Sequence, residues 1–286
     1  MCYDALKKSN KYILDYSEEQ SFDFSYDFVI VNEHFTVNNW VNEEMVCKFK
    51  KPIFCIVTEV SFSSDPLINI PKYYTHYIVL DPTIKETATI HGFGRPLEEF
   101  DLSNTDNNTV INYDVPRIFS FGFPTCGKEW HKIIEMVQND YDYADIHFNI
   151  PRATYVPNYE ILMNEIIINC KNTLKKEGIT LKITQDNLSK KELIKICSTK
   201  TINCFFYNRE HICPSGLAAV TDQAVSSGRP LLVTNDSTFR HLHKYIDYYP
   251  LITVKEAIEK TRDGVLKMKD DWSSSNFLEK FEKILM

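Results

Sequence analysis

The stretch Cys213 to His241, CPSGLAAVTDQAVSSGRPLLVTNDSTFRH, carries residue types that can hold an anion. An apolar run rich in strand formers, Ile202 to Tyr207, leads into a short polar loop. A helical pattern follows from Leu217 to Ser227 and stops at Gly228, and Pro230 to Thr234 reads as the next strand. Between strand and helix stand Ser215, a good N-cap, and Gly216, which lets a ligand approach the backbone closely. Free N–H groups and a positive dipole end at such a junction suit a phosphate. The same residues also suit a plain helix cap, with Gly228 a plain stop. Past the strand, Arg240 and His241 enter a further helical pattern on the same side.

A second junction has the same form. Arg117 to Phe121 reads as a strand, and Gly122-Phe123-Pro124-Thr125-Cys126-Gly127-Lys128 leads from it into a helix with Trp130, Ile133, Ile134 and Val137 on one face. Loop N–H groups and a lysine at the helix start are what a diphosphate prefers. The spacing is not G-x-x-x-x-G-K-[ST], so this is no Walker loop, and a lysine in a first helical turn can also be merely solvated.

Proton chemistry has a third location. The strand-like run Asp27 to Val31 is followed by Asn32, Glu33 and His34, and residues at a strand's carboxyl end point into a ligand crevice. Glu33 and His34 are the acid/base candidates, His34 first because imidazole titrates near neutral pH. Runs ending in Glu59 and in Asp81 repeat the placement, as polar surface loops also would.

The elements that must position these residues alternate. The first half opens with a helical pattern from Tyr3 to Tyr16, an odd start for a parallel α/β domain. Strands follow at Asp27–Val31, Pro52–Val57 and Tyr77–Leu80, with a helix around Trp40 to Phe49. Gly92 to Leu97 reads as a turn, and the polar stretch Asp101 to Thr109 as a linker, which sets domains of 1–105 and 106–286. From Ile118 to Thr234 the order is β-α-β-α-β-α-β-α-β, a doubly wound parallel sheet, with Thr184 and Gln185 ending the strand Thr180–Ile183 and Ser189 capping a helix over Leu188–Cys197. Two helical patterns from Lys255 onward, with Trp272, Phe277, Leu278, Phe281, Ile284 and Leu285, supply apolar surface expected to pack across the domain junction.

Composition narrows the function classes. At 286 residues, 43% hydrophobic and 25% charged, the chain suits a globular protein of two domains. A formal charge of −7 offers no basic footprint for nucleic acid. The eight cysteines lack C-x-x-C pairs and His/Cys ligand spacing, so they read as reduced thiols of an intracellular, cytoplasmic protein without zinc. No run approaches the ~20 apolar residues of a membrane span, and no signal peptide is visible at the N-terminus.

Residues 110 to 245 resemble the GT-B glycosyltransferases. Phe121 to Lys128 keeps the glycine and lysine of that family's F-G-R-x-x-x-x-K-G loop, with Phe123 at the arginine position. Gln223-Ala224-Val225-Ser226-Ser227-Gly228-Arg229-Pro230-Leu231 matches the tail of its E-x(7)-E/A-x-x-x-G-x-P-V signature, with Ser215 and Gln223 at the two acidic positions. The resemblance implies an α/β protein of two facing Rossmann-like domains, the N-terminal one reduced. It also implies transfer of a hexosyl or pentosyl group from a nucleotide-sugar, with no metal and no cofactor beyond that substrate. Gly122, Thr125, Lys128, Ser215, Gly216 and Arg240 would hold the diphosphate end, Thr184 and Gln185 would sit near the nucleobase, and Asp222 or Gln223 would bond the ribose. His34 or Glu33 would serve as base toward an acceptor, be it a glycan, a small molecule or a modified DNA base. Two other functions fit the same residues: a nucleotide-sugar binding module without catalysis, and a viral or phage-type DNA-base glycosyltransferase.

Overall fold

The computed structural model describes residues 2–18, 25–33, 41–58, 67, 70–100, 112–209 and 216–285. The chain divides into two compact units, one of Met1–Pro96, Pro214–Leu217 and Trp272–Met286, the other of Leu97–Cys213 and Ala218–Asp271. The boundary expected at 105/106 and its linker fall within 101–111, outside the described residues.

The first unit is built on four parallel strands, β1 (Val29–Glu33), β2 (Ile53–Val57), β3 (His76–Val79) and β4 (Ile90–Gly92), in that spatial order. Every residue of β2 is buried, which is why its sequence is apolar without alternation. Its two faces meet different partners. Ile53, Cys55 and Val57 join Val31, Phe49, Tyr77 and Val79, whereas Phe54 and Ile56 join Ile78, Leu80 and Phe93 beneath α1 (Cys2–Leu6) and α9 (Ser274–Leu285). Phe281 stands 5.0 Å from Phe54 between ring centroids, so the end of the chain completes this unit's core.

Two expectations are corrected here. The opening helix stops at Leu6, not Tyr16: of the later members of its pattern Leu14 packs on the core from outside any helix, and Ile13 is 94% exposed. Short helices need tertiary burial to persist. Conversely Gly92, where the sequence predicts the start of a turn, is the last residue of β4. The strand has three residues, and at Gly92 a Cβ would come within 2.9 Å of the Asp81 carbonyl, so close passage rather than hydrophobic pattern marks it. α2 (Glu43–Lys48) is capped by the Asn42 side chain on the Met45 N–H.

The second unit has the alternation the sequence predicts. β5 (Arg117–Phe121), α3 (Trp130–Asp140), β6 (Ala144–Asn149), α4 (Tyr159–Thr173), β7 (Ile179–Thr184), α5 (Lys190–Ser198), β8 (Ile202–Phe205), α6 (Val220–Ser226) and β9 (Leu231–Val233) succeed one another. The five strands are parallel in the order β7-β6-β5-β8-β9. Ser189 caps α5 through a capping box with Glu192. The core below α3 and α4 gathers Ile118, Trp130, Ile134, Ile146, Phe148 and Ile202. After β9 come α7 (Val254–Lys260) and α8 (Arg262–Asp271), so three helices replace the two patterns read from Lys255 onward. A capping box between Thr253 and Glu256 starts α7.

Two buried polar residues of this unit set measurable properties. Asn203, in the middle of β8, is fully buried, and neither polar side-chain atom has a partner among the described residues. Leucine has the same number of side-chain heavy atoms and no desolvation cost, so Asn203→Leu is expected to stabilise by about 1–2 kcal/mol. Calorimetry would show Tm up by about 2–4 °C per kcal/mol, and a lower Tm would mean that the amide is satisfied in solution. His147 is pushed from 6.5 to about 4, first by burial and then by Lys200 and Lys182. Since the unfolded chain takes the proton first, stability is lost as pH falls from 6.5 toward about 4. His147→Gln should flatten the Tm profile over that window.

Candidate functional site

The sheet order puts β5 and β8 side by side although five elements of chain, α3, β6, α4, β7 and α5, intervene. Such a reversal leaves a crevice outside the carboxyl ends of the two strands, where open α/β sheets bind their ligands. The loops that rise from it are 122–129 and 206–209. They are joined by an antiparallel bridge between Lys128 and Tyr207, by a hydrogen bond from the Glu129 N–H to the Phe206 carbonyl (2.9 Å), and by one from the Asn208 N–H to the Gly127 carbonyl (2.7 Å).

Lys128 occupies the centre of this pair. It is not in the first turn of α3, as its sequence suggested: the helix begins at Trp130 with Glu129 as cap, and the bridge to Tyr207 holds Lys128 in extended backbone before it. The ammonium lies 5.3 Å from the Tyr207 ring centroid and 5.8 Å from that of Trp130. Gly122 makes room for it. At φ +131° that glycine is in a region closed to other residues, and a Cβ there would sit 2.5 Å from the lysine nitrogen and 3.2 Å from Val220 of α6. Burial, reinforced by Arg209, brings Lys128 from 10.5 down to about 7.

Arg209 is the residue that sequence reasoning passed over. It follows β8 in what read as a short polar loop, and its only signal was a cation at a strand's carboxyl end. Its guanidinium donates to the Thr125 hydroxyl and to the Cys126 carbonyl (3.1 Å), and lies 4.8 Å from the Tyr207 ring. Its backbone N–H is held by Asp236 (2.7 Å), whose other oxygen accepts from the N–H and hydroxyl of Thr238 (2.9 and 2.7 Å). Among the described residues no carboxylate forms an ion pair with Lys128 or Arg209. A guanidinium and an amine that titrates at about 7 therefore share one loop pair, with N–H groups left for an anion.

A second missed residue braces the site. Asn149, 1% exposed at the end of β6, accepts on its Oδ1 from the Thr184 hydroxyl (2.9 Å) and the Asp186 N–H (3.0 Å), and donates to the Asp186 carbonyl (3.1 Å). Its own carbonyl accepts the Gly122 N–H at 3.1 Å. The glycine loop and the Thr184–Gln185 segment are thus tied through one side chain. Thr184 also bonds His147 (3.0 Å), and the exposed Gln185 accepts from the Tyr159 hydroxyl (3.2 Å). Gly122, Thr125, Lys128, Thr184 and Gln185 stand on this connected set.

The remaining sequence candidates stand elsewhere or are not described. α6 begins at Val220 with Ala219 at its cap and no side-chain cap bond, so the helix starts later than Leu217 and Ser215 is not its cap. The reason is a tertiary contact: the Ala218 N–H turns aside to the Thr238 carbonyl (3.0 Å). Gly216 has φ +55° with open space around its α-carbon, and Ser215 lies outside the described residues. Asp222 is buried and Gln223 half-buried on α6. Arg240 donates to the Ser237 carbonyl (2.7 Å) behind the single turn Ser237–Phe239, and His241 is fully buried against Thr221 (3.2 Å) rather than facing a crevice. Glu33 ends β1, but its side chain, like His34 and Glu59, lies outside the described residues, and Asp81 is occupied by its own turn with Thr83 (2.9 Å).

No family model and no curated protein matches the sequence. Solved structures do. An α,α-trehalose-phosphate synthase (UDP-forming) from Burkholderia xenovorans matches with a TM-score of 0.63 at 9% identity, over 91% of this chain and 73% of that one. A trehalose-6-phosphate protein from E. coli bound with UDP-2-fluoro glucose gives 0.59 at 11% identity, over 84% and 69%. HepE from Anabaena in complex with UDP and glucose gives 0.56 at 8% identity, over 92% and 78%. These neighbours are GT-B glycosyltransferases, and the two parallel α/β sheets of this chain have that fold.

The geometry around Gly122 yields a test of the site's construction. Gly122→Ala forces a side chain into a disallowed backbone region and against the lysine nitrogen, so it is expected to destabilise the second unit by about 1–3 kcal/mol. Urea unfolding followed by Trp fluorescence measures this. Gly216→Ala, strained by φ +55° but with nothing within 4 Å of the added Cβ among the described residues, should cost less.

Proposed function

We infer that this chain of GT-B fold is a glycosyltransferase whose second unit holds the diphosphate of a nucleotide-sugar between Lys128 and Arg209. The observation that carries the reading is the placement of two cations, without a carboxylate partner among the described residues, at the crevice between β5 and β8. A leaving diphosphate gains negative charge as the glycosidic bond breaks, and fixed cations in a partly desolvated site lower the energy of that charge. Arg209 supplies the guanidinium that the GT-B loop usually carries where Phe123 stands. Because the two side chains provide the compensating charge, donor binding on this reading is metal-independent. On this reading the Asn149-braced segment at Thr184 and Gln185 meets the nucleobase, and Asp222 or Gln223 bonds the ribose. UDP-sugars are the first donors to try, since the structural neighbours were solved with UDP, with glucose, or with a UDP-sugar analogue. His34 and Glu33 are carried forward as candidate bases for an acceptor hydroxyl.

A binding module without turnover is the second reading, favoured by Ser215 and Gln223 at the positions where the fold's retaining enzymes carry acids. Incubation with nucleotide-sugars and candidate acceptors separates the two, since only an enzyme releases nucleotide.

The donor site itself is tested by thermal shift. A nucleotide-sugar at a hundredfold its Kd should add about 2.7 kcal/mol of stability. Arg209→Ala and Lys128→Met should each weaken UDP and UDP-sugars by about 10- to 100-fold, the loss of one charge-assisted contact, while changing uridine little. Equal weakening of uridine and UDP, or no shift with any nucleotide, counts against the assignment.

A further inference from the structure

We propose that the second unit binds its diphosphate together with a proton, which is taken up from solvent by the Lys128 amine, so that donor affinity depends on pH. The proposal rests on the donor-site reading above and concerns the regulation of that same site.

The surroundings of the Lys128 nitrogen decide its resting state. From β5 it meets Ser120, from the loop after it Gly122, from α3 the ring of Trp130, and from the segment after β8 the ring of Tyr207 and the charge of Arg209. On its other side a cleft of about 160 Å3 between α3 and α4 is lined also by His131, Glu165 and Asn169. None of these groups is an anion bonded to it. Glu129 is engaged by Lys132 at 2.7 Å, Asp236 by the Arg209 and Thr238 N–H groups, and among the described residues no carboxylate, Glu165 included, forms a hydrogen bond or ion pair with Lys128. An ammonium at this spot has lost hydration and faces a like charge, and both effects favour the neutral amine. Contact with two aromatic faces compensates only in part. The outcome is a lysine that titrates at about 7.

A diphosphate reverses the sign of the local field. Two negative charges beside Arg209 and Lys128 favour the ammonium, so the lysine returns toward its ordinary range and a proton enters with the ligand. With a free value near 7 and a bound value returned toward the ordinary 10.5, uptake is about 0.9 proton at pH 8 and about 0.1 at pH 6. Affinity is then flat below pH 7 and falls above it by up to about tenfold per pH unit until the bound value is passed. The direction is fixed: alkaline conditions release the donor.

Calorimetric titration with UDP-glucose, whose diphosphate diester keeps both charges in this range, counts the proton. At pH 8 in HEPES and in Tris, buffers of different ionisation heat, the difference in observed heat should report about 0.9 proton, shrinking toward about 0.1 at pH 6. Lys128→Arg, which holds its charge, should bind with no uptake and a flat pH profile. Since that variant can fail to fold, a second reading uses the wild type: the rate of Lys128 acylation by a small activated ester, followed by mass spectrometry, should rise with a midpoint near 7. Binding of UDP-glucose without proton uptake, or an acylation midpoint near 10.5, overturns the proposal and leaves the donor site standing. Absence of binding by both UDP-glucose and GDP-mannose overturns the donor site itself, and the proposal with it.

Discussion

The second unit is arranged around an unbalanced pair of cations. Arg209 lies close enough to Lys128 to disfavour the charge of the lysine, whose nitrogen has lost much of its hydration. A fold tolerates this only where other forces hold the groups in place. Arg209 is anchored by its backbone to Asp236 and by its guanidinium to the Thr125–Cys126 turn, and Lys128 is anchored by a backbone bridge rather than by its side chain. The amine is therefore positioned by neighbours that do not neutralise it, an arrangement that costs stability in the absence of an anion and releases that cost when one binds.

Sheet order explains why the pair arises where it does. In the sequence β7-β6-β5-β8-β9 the central strands β5 and β8 send their loops out side by side, and only there can residues some eighty positions apart converge without long excursions. Asn149 extends the same logic to β6 and β7. Its amide replaces strand pairing where the sheet ends, holding the Thr184 segment, while its carbonyl holds Gly122. A buried amide with every polar atom engaged rigidifies its surroundings, in contrast to Asn203, whose amide finds no partner among the described residues.

The strands and helices of the second unit were legible because local signals agree there: apolar runs of strand length, caps such as Ser189, and Gly228 as a stop. In the first unit the signals weaken. β4 is set by close backbone passage at Gly92, and α1 is shorter than its periodicity, with Ile13 94% exposed and Leu14 packed on the core outside the helix. At the candidate site, Gly122 and Lys128 were legible as a glycine loop with a cation. Arg209 was not, since nothing in its local sequence distinguishes it from a solvated arginine, and its role appears only when β8 is placed beside β5. The late start of α6 was likewise invisible, being caused by the Ala218 N–H pairing with Thr238, a contact between segments twenty residues apart.

Relocation of a charge is easier for a fold to accept than its loss. Phe123 stands where the GT-B loop carries arginine, and it is 40% exposed, so no buried contact would restrain an arginine there. The guanidinium of Arg209 reaches the same loop from the neighbouring strand and bonds Thr125, two residues beyond Phe123. What an anion senses is the position of positive charge and the dryness around it, not which strand delivers it. The proposed diphosphate site is thereby independent of Ser215 and Gln223, and donor binding can persist in a chain that lacks both acids. Turnover, which depends on how the sugar's developing positive charge is met, remains a separate property and is the one on which an enzyme and a binding module with this fold would differ.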